Sequence, residues 1–380
     1  MLGTYQLVLD TFCEVYDLLE PWCDQNFWDF ENHNPVPGAI YLIGRLQFRL
    51  NVEKIRHLIE TNYCHVILSN PAEGSETLKG QCQQLGVADL IKQGRILLIG
   101  GGDMDAQWPC LQYDSFLPKV HDYQENLAAI EQAAELYSTV HKPYKFLFLN
   151  GRQRPNRKYL MESFRLSGLL DQCLWTNLDS RDSASRRIQL WHNDEDLMRS
   201  VRPVKYLDPK YELPQYRDHI NQPADDHFVK NQLFDNTWGE IYLKAEPYVD
   251  TYFSLVTETV FEYPHSFRTE KIWKPIAMAH PFIVAANYRY YKDLRNLGFQ
   301  TFGQVIDESF DQIENSQERI ARIAQVVEDL CKQDLDQFLA ACYNVCKYNQ
   351  QHLAEMRLSV RKQFPDRFAQ FIHKHINERS

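Results

Sequence analysis

Two short stretches carry residues whose types and spacing suit the chemistry of phosphate. The first follows the apolar run 145–150 (KFLFLN) and reads Gly151-Arg152-Gln153-Arg154-Pro155-Asn156-Arg157-Lys158, four cations in eight residues. An arginine fork offers two parallel hydrogen bonds to a phosphate, so Arg152 and Arg154 suit a diphosphate. The second is Thr269-Glu270-Lys271, opening an apolar stretch with Ile272, Trp273, Ile276 and Ala277 on one helical face. A helix N-terminus favours anions. Lys271 there opposes the dipole but is placed to neutralise a diphosphate, while Glu270 can accept hydrogen bonds from ribose hydroxyls. The same residues also fit a plainer assignment, with Glu270 stabilising the helix start, Lys271 in water and the arginines on a basic surface turn.

Acid–base candidates lie elsewhere. Asp103 and Asp105 follow the triple glycine Gly100-Gly101-Gly102, and either carboxylate suits a general base that takes a proton from a hydroxyl. The glycine run lacks both GxGxxG spacing and a Walker lysine, so it is no phosphate loop. It admits a close approach of backbone to a ligand or to another strand. Glu258 and Glu262 precede Thr269, and Asn287 and Tyr288 follow the apolar run 282–286, where they can meet a base or a sugar or simply pack.

The elements that must hold these groups read as an alternation of strands and helices. Strands are expected at 39–44, 65–68, 95–99, 145–150, 173–177, 252–256 and 282–286. Helices are expected over Leu7 to Leu19, Val52 to Glu60, Ser75 to Leu85, Tyr123 to His141, from Arg157, and from Thr269. The segment 316–375 reads as helical with an interruption near Pro365, and 204–207 as a further strand. The rhythm implies α/β architecture, with parallel sheets covered by helices. In such sheets the loops at the carboxyl ends of the strands bind ligands, and both cationic stretches fall there.

The order of a Phe253-Ser254-Leu255 strand, Glu258, a polar loop, Thr269-Glu270-Lys271, an apolar helix and Pro281 before a strand resembles the nucleotide-sugar half of GT-B glycosyltransferases. It is most similar to the α-1,3-fucosyltransferase type. This chain has Thr257-Glu258-Thr259 where that type has Phe-Glu-Asn, and Ala279-His280-Pro281 where an Ala-Gly turn is usual. Glu262 and Glu270 also match the spacing of the paired glutamates of retaining GT-B enzymes. The resemblance implies two Rossmann-like domains facing a cleft: 1–142 on the acceptor side, 143–315 binding the nucleotide sugar, and 316–380 as helices packing back on the first domain. It implies transfer of a sugar from a nucleoside diphosphate to a hydroxyl of a glycan, lipid or protein, without a metal or other cofactor. Arg152, Arg154 and Lys271 would hold the diphosphate, Glu270 the ribose, Glu258 or Glu262 the sugar, and Asn287 and Tyr288 would line the pocket. A non-catalytic binding or assembly protein with the same fold is the alternative, and a kinase-like enzyme is disfavoured by the missing phosphate loop.

Composition bounds these readings. The 380 residues are 44% hydrophobic and carry a net charge of −10, which argues for a large globular core and against a general nucleic-acid binder. The nine cysteines form no CxxC pair, which points to reduced thiols. No apolar run approaches the ~20 residues that cross a bilayer. A cytoplasmic enzyme of bacterial or viral origin, or an effector delivered to a host cell, fits these features.

Overall fold

The computed structural model describes residues 6–9, 13–23, 34–44, 52–102, 104–105, 107–122, 124–138, 141–150, 154–177 and 243–377. The chain divides into two compact units. One comprises Met1–Pro118, His265–Arg268 and Met356–Ser380, the other Lys119–Pro264 and Thr269–Glu355. The boundary therefore falls at 118 rather than at 142, and only the last part of the C-terminal helices joins the first unit.

The first unit is built on five strands in sequential order: β1 (Leu7–Leu9), β2 (Ile40–Ile43), β3 (His65–Asn70), β4 (Ile96–Gly100) and β5 (Cys110–Gln112). All pairs are parallel. Residues 7–9, expected to begin a helix, form the first strand. Leu7, Val8 and Leu9 are all buried, and an apolar run covered on both sides suits a strand in a doubly covered sheet. Only Tyr16–Leu19 is helical in that region.

Right-handed crossovers that always step in one direction leave their helices on one face of the sheet. Here α1 (Val52–Glu60), α2 (Ser75–Gln84) and α3 (Ala88–Lys92) join the core that contains Val8, Tyr41, Ile43, Val66, Leu68, Ile96 and Leu98. The alternate residues Leu7, Leu9, Ile40, Leu42, Ile67, Leu97 and Ile99 face the other way and need a different cover. Part of it comes from Val15, Leu19 and Tyr113, and the rest from the far end of the sequence, where Phe364, Phe368, Ile372 and Ile376 complete the second core. Arg367 Nη2 donates to Gln112 O at 2.9 Å and ties this cover to β5.

The residues 265–268 are anchored in this unit too. Phe267 forms an isolated antiparallel bridge with Gly102. A methyl group at Gly101 would lie 2.4 Å from the Pro71 carbonyl and 2.5 Å from the Phe267 ring. The triple glycine thus serves a close approach of protein to protein. Arg268 Nε pairs with Asp114 Oδ2 at 3.1 Å, both side chains nearly buried.

The second unit has four parallel strands in the order β7-β6-β8-β9: β6 (Tyr144–Asn150), β7 (Leu174–Asn177), β8 (Thr251–Thr257) and β9 (Phe282–Ala285). The helix expected over Tyr123 to His141 is shorter, with α4 (Gln124–Gln132) followed by a 3-10 turn at Ala133–Tyr137. Next come α5 (Pro155–Leu166) after β6, α6 (Glu270–Ala277) after β8 and α7 (Tyr290–Asn296) after β9. An aromatic core fills the unit. Phe146 stacks on Phe253 with centroids 5.3 Å apart and meets Phe164 edge-on at 5.4 Å.

Two helices close the chain. In α8 (Ser316–Leu330), Asn315 caps the start by accepting from Gln317 N and Glu318 N. The last helix, α9 (Leu335–Ile372), runs through Pro365 without the interruption the sequence suggests. No helix among the described residues is long and apolar enough to cross a membrane. Residues 204–207, expected as a strand, lie outside the described residues.

Candidate functional site

The chain enters the second unit's sheet at its centre. It steps from β6 to β7, then returns across β6 to place β8 on the other side. The winding reverses between β6 and β8, and in open α/β sheets the crevice for a ligand lies beyond the carboxyl ends of such a pair. Residues 154–158 of the first cationic stretch and 269–271 of the second follow β6 and β8 at this edge.

Beyond β6, Arg152 lies outside the described residues. Arg154 is exposed at the N-cap of α5, with Pro155 at the first helical position. Asn156 and Arg157 follow and are buried, at 7% and 2% exposure. The Nδ2 of Asn156 has no hydrogen-bond partner among the described residues. Arg157 Nη2 donates to Thr257 O at 2.8 Å, and Thr257 Oγ1 donates to Asn150 Oδ1 at 2.8 Å. The first bond ties the start of α5, and the second the carboxyl end of β6, to the carboxyl end of β8.

Glu258, directly after β8, is fully buried. Its Oε1 accepts from Thr269 N at 3.0 Å and Tyr290 Oη at 3.1 Å. Its Oε2 accepts from Thr269 Oγ1 at 2.7 Å and Thr259 N at 3.2 Å. Burial holds its pKa above the usual carboxylate range, against the opposing pull of Lys271 and of the Thr269 donors. The sequence lists Glu258 among catalytic and sugar-binding groups. With both oxygens committed to protein donors, it instead organises the loop after β8 and the start of α6.

The start of α6 gathers the remaining charges. Thr269 Oγ1 accepts from Lys271 N at 3.3 Å and so caps the helix. Lys271 Nζ donates to Thr269 Oγ1 at 3.2 Å, to Thr259 Oγ1 at 3.4 Å and to the carboxylate of Glu270. Burial pushes the Glu270 pKa up, but the ammonium of Lys271 and the charge of Lys274 outweigh it and hold the group below the usual range. The Lys271 side chain keeps a quarter of its surface exposed. An anion arriving there would meet a cation whose partners already fix its position.

Asn287 and Tyr288 follow β9 at the same edge of the sheet. Asn287 is buried and its Nδ2 donates to Tyr288 O at 2.9 Å, while the Arg289 guanidinium lies 4.7 Å from the Tyr288 ring centroid. Glu262 is exposed and accepts from Ser316 Oγ at 3.2 Å. Glu262 and Glu270 share no hydrogen-bond partner among the described residues, so the geometry joins them in no common role.

No family model, curated protein or solved structure matches the chain. The site is therefore characterised by its own geometry.

Sequence reasoning passed over several residues that shape this edge. Arg319 is buried and donates to the carbonyls of Ala286, Ile313, Glu314 and Phe261 at 2.6–3.0 Å, fixing the loops after β8 and β9. Thr259 and Tyr290 are partners of Lys271 and Glu258. The threonines on either side of Glu258 were no guide to this, because Thr257 Oγ1 bonds Asn150, Thr259 Oγ1 bonds Lys271, and the hydroxyl that reaches Glu258 is that of Thr269.

The candidate general bases belong to the first unit. Asp103 lies outside the described residues. Asp105 Oδ2 accepts from Lys79 Nζ at 3.0 Å, and its Oδ1 lies 3.2 Å from His265 Nε2. The Lys79 hydrogen bond, followed by that of His265, holds Asp105 below the usual carboxylate range. A carboxylate held low is a weak proton acceptor, which counts against Asp105 as the base.

Proposed function

We propose that the chain is a glycosyltransferase that moves a sugar from a nucleoside diphosphate to a hydroxyl acceptor. The two units would be the domains of a GT-B-like enzyme, with the nucleotide sugar held by the second. The observation that carries the reading is the reversal of strand order between β6 and β8. The two strands that flank it run on to helix starts bearing Arg154 and Lys271. Charge leaving with the nucleoside diphosphate would be stabilised by these two cations and by the N-terminus of α5, so the leaving group would need no metal. Arg152 would add a third cation. Glu270 would accept hydrogen bonds from the ribose, and Asn287 and Tyr288 would border the base or the sugar. Of the two aspartates considered for the base, the pairing of Asp105 with Lys79 favours Asp103.

A panel of GDP- and UDP-sugars tested by thermal shift and calorimetry examines this reading. One sugar donor should bind and be hydrolysed or transferred in the presence of a chelator. Arg154→Ala and Lys271→Ala should each weaken that binding by about 10- to 100-fold, as expected for the loss of a charge-assisted hydrogen bond. Arg154→Ala is the cleaner variant, because loss of Lys271 also strips a partner from buried Glu270. Absence of binding to every sugar donor would favour a non-catalytic binding protein. Equal binding by wild type and Arg154→Ala would remove that arginine from the site.

A further inference from the structure

We propose that Glu76, Asp105 and His265, all in the first unit, bind a divalent transition-metal ion. One oxygen of Glu76, one oxygen of Asp105 and one ring nitrogen of His265 all lie within 4.8 Å of one another. The three come from distant points of the chain. Glu76 sits in the first turn of α2, Asp105 in the loop after β4, and His265 in the four-residue segment that Phe267 and Arg268 anchor in this unit.

The ligand chemistry selects the ion. One imidazole with two carboxylates suits zinc, manganese, cobalt or iron better than magnesium or calcium, which prefer oxygen alone. Three protein ligands leave positions for water. At bond lengths of about 2.0–2.2 Å, the ligand atoms of a tetrahedral site lie ~3.4 Å apart. The His265 Nε2 to Asp105 Oδ1 separation is already 3.2 Å. Glu76 must close the remaining gap, and its partly exposed side chain can rotate to do so.

A cation already holds this place. Lys79 Nζ lies 3.0 Å from Asp105 and 3.7 Å from Glu76, so one ammonium is shared between two carboxylates and Glu76 is the more loosely held. The two carboxylates and the one ammonium together leave one negative charge. A divalent ion would take the ammonium's position and add the bond to His265 that lysine cannot make. Lys79 is free to give way, because its flexible stem carries a partly exposed head group that also lies 5.8 Å from the centroid of the Trp108 ring. Lysine is therefore a competitor of the metal, and this makes the proposal testable.

Calorimetry of the full chain with Zn²⁺, and absorption spectroscopy with Co²⁺, read binding directly. The wild type should bind one ion at this site. His265→Ala and Asp105→Asn should each weaken that binding at least tenfold and remove the cobalt absorption bands of a nitrogen- and oxygen-ligated ion. Lys79→Met should tighten binding about tenfold, because the competing charge is gone. Circular dichroism confirms that each variant is folded, and all three positions are at least partly exposed. Absence of binding by the wild type would overturn the proposal. So would binding that survives His265→Ala, which would place the ion elsewhere, or binding that Lys79→Met leaves unchanged or weakens.

Discussion

Thr269 Oγ1 donates to Glu258 Oε2 at 2.7 Å while accepting from the backbone N–H of Lys271 at 3.3 Å. One hydroxyl thus satisfies a buried carboxylate and caps the helix that carries the candidate cation. Thr269→Val keeps the shape and removes both of these bonds, together with the one from Lys271 Nζ at 3.2 Å. Loss of a cap costs ~0.5–2 kcal/mol, and loss of a donor to a buried acid about 1–3 kcal/mol. A lowered urea midpoint, equivalent to about 2–3 kcal/mol, is expected, and Thr269→Ser should restore most of it. A Thr269→Val midpoint equal to that of the wild type would show that Glu258 does not depend on this hydroxyl.

His280 predicts a pH dependence of stability. It is 1% exposed, and its Nε2 lies 2.9 Å from Thr251 O, which can only accept, so Nε2 carries the proton. Nδ1 then accepts from Ser254 Oγ at 2.9 Å. Burial lowers the pKa from 6.5 to about 3, against the Thr251 carbonyl and with the help of Lys142. The folded state therefore resists a proton that the unfolded chain takes up. The contribution is complete above pH 6.5 and is lost as pH falls towards 3. Within that window stability should fall by about 1.4 kcal/mol per pH unit from this group. His280→Asn should flatten that slope in denaturation measured at a series of pH values; an unchanged slope would mean that the imidazole is protonated in the fold.

Ala279 ends α6 in a left-handed conformation at φ 49°, with His280 N bonded back to Pro275 O at 2.8 Å. A residue with a Cβ is disfavoured there, and glycine is the usual choice at this position. Ala279→Gly should raise stability by about 0.5–1 kcal/mol after the added chain entropy is subtracted. Thermal unfolding checks this, and a lowered melting temperature would show that packing of the buried methyl outweighs the backbone term.

Gly101 carries the opposite expectation. Its missing side chain leaves room for the Phe267 ring and the Pro71 carbonyl, which a methyl group would meet at 2.5 and 2.4 Å. Gly101→Ala should destabilise the first unit by ~2–3 kcal/mol, in the range of overpacked cores. Phe267→Ala added to it should recover only the share due to the ring, because the carbonyl is backbone. Full recovery in the double variant would assign the whole clash to Phe267.

The elements that position the candidate site were legible where pattern and punctuation agreed. The run 145–150, with cations directly after it, is a strand whose carboxyl end meets α5, and Thr269-Glu270-Lys271 opens α6. Residues 7–9 were not legible as a strand. Three buried positions have no period, and only pairing with β2 across the chain decides their conformation. The fate of Glu258 was equally hidden. Its burial depends on Tyr290 and Thr269, which lie 32 and 11 residues away in the chain, and no local spacing announces that meeting. The triple glycine signals room for a ligand or another strand, and only the fold shows that Phe267 takes the space.

The C-terminal cover of the first sheet has a consequence for biosynthesis. Leu7, Ile40, Ile67 and Leu97 leave the ribosome hundreds of residues before Phe364 and Phe368, which shield them. Until they emerge, only early residues such as Val15, Leu19 and Tyr113 cover that side of the nascent N-terminal sheet. Completion of that layer must wait until 364–376 have emerged, and a holdase chaperone is the natural occupant in the interval. A truncation just before Phe364 should therefore be felt first among the earliest strands made.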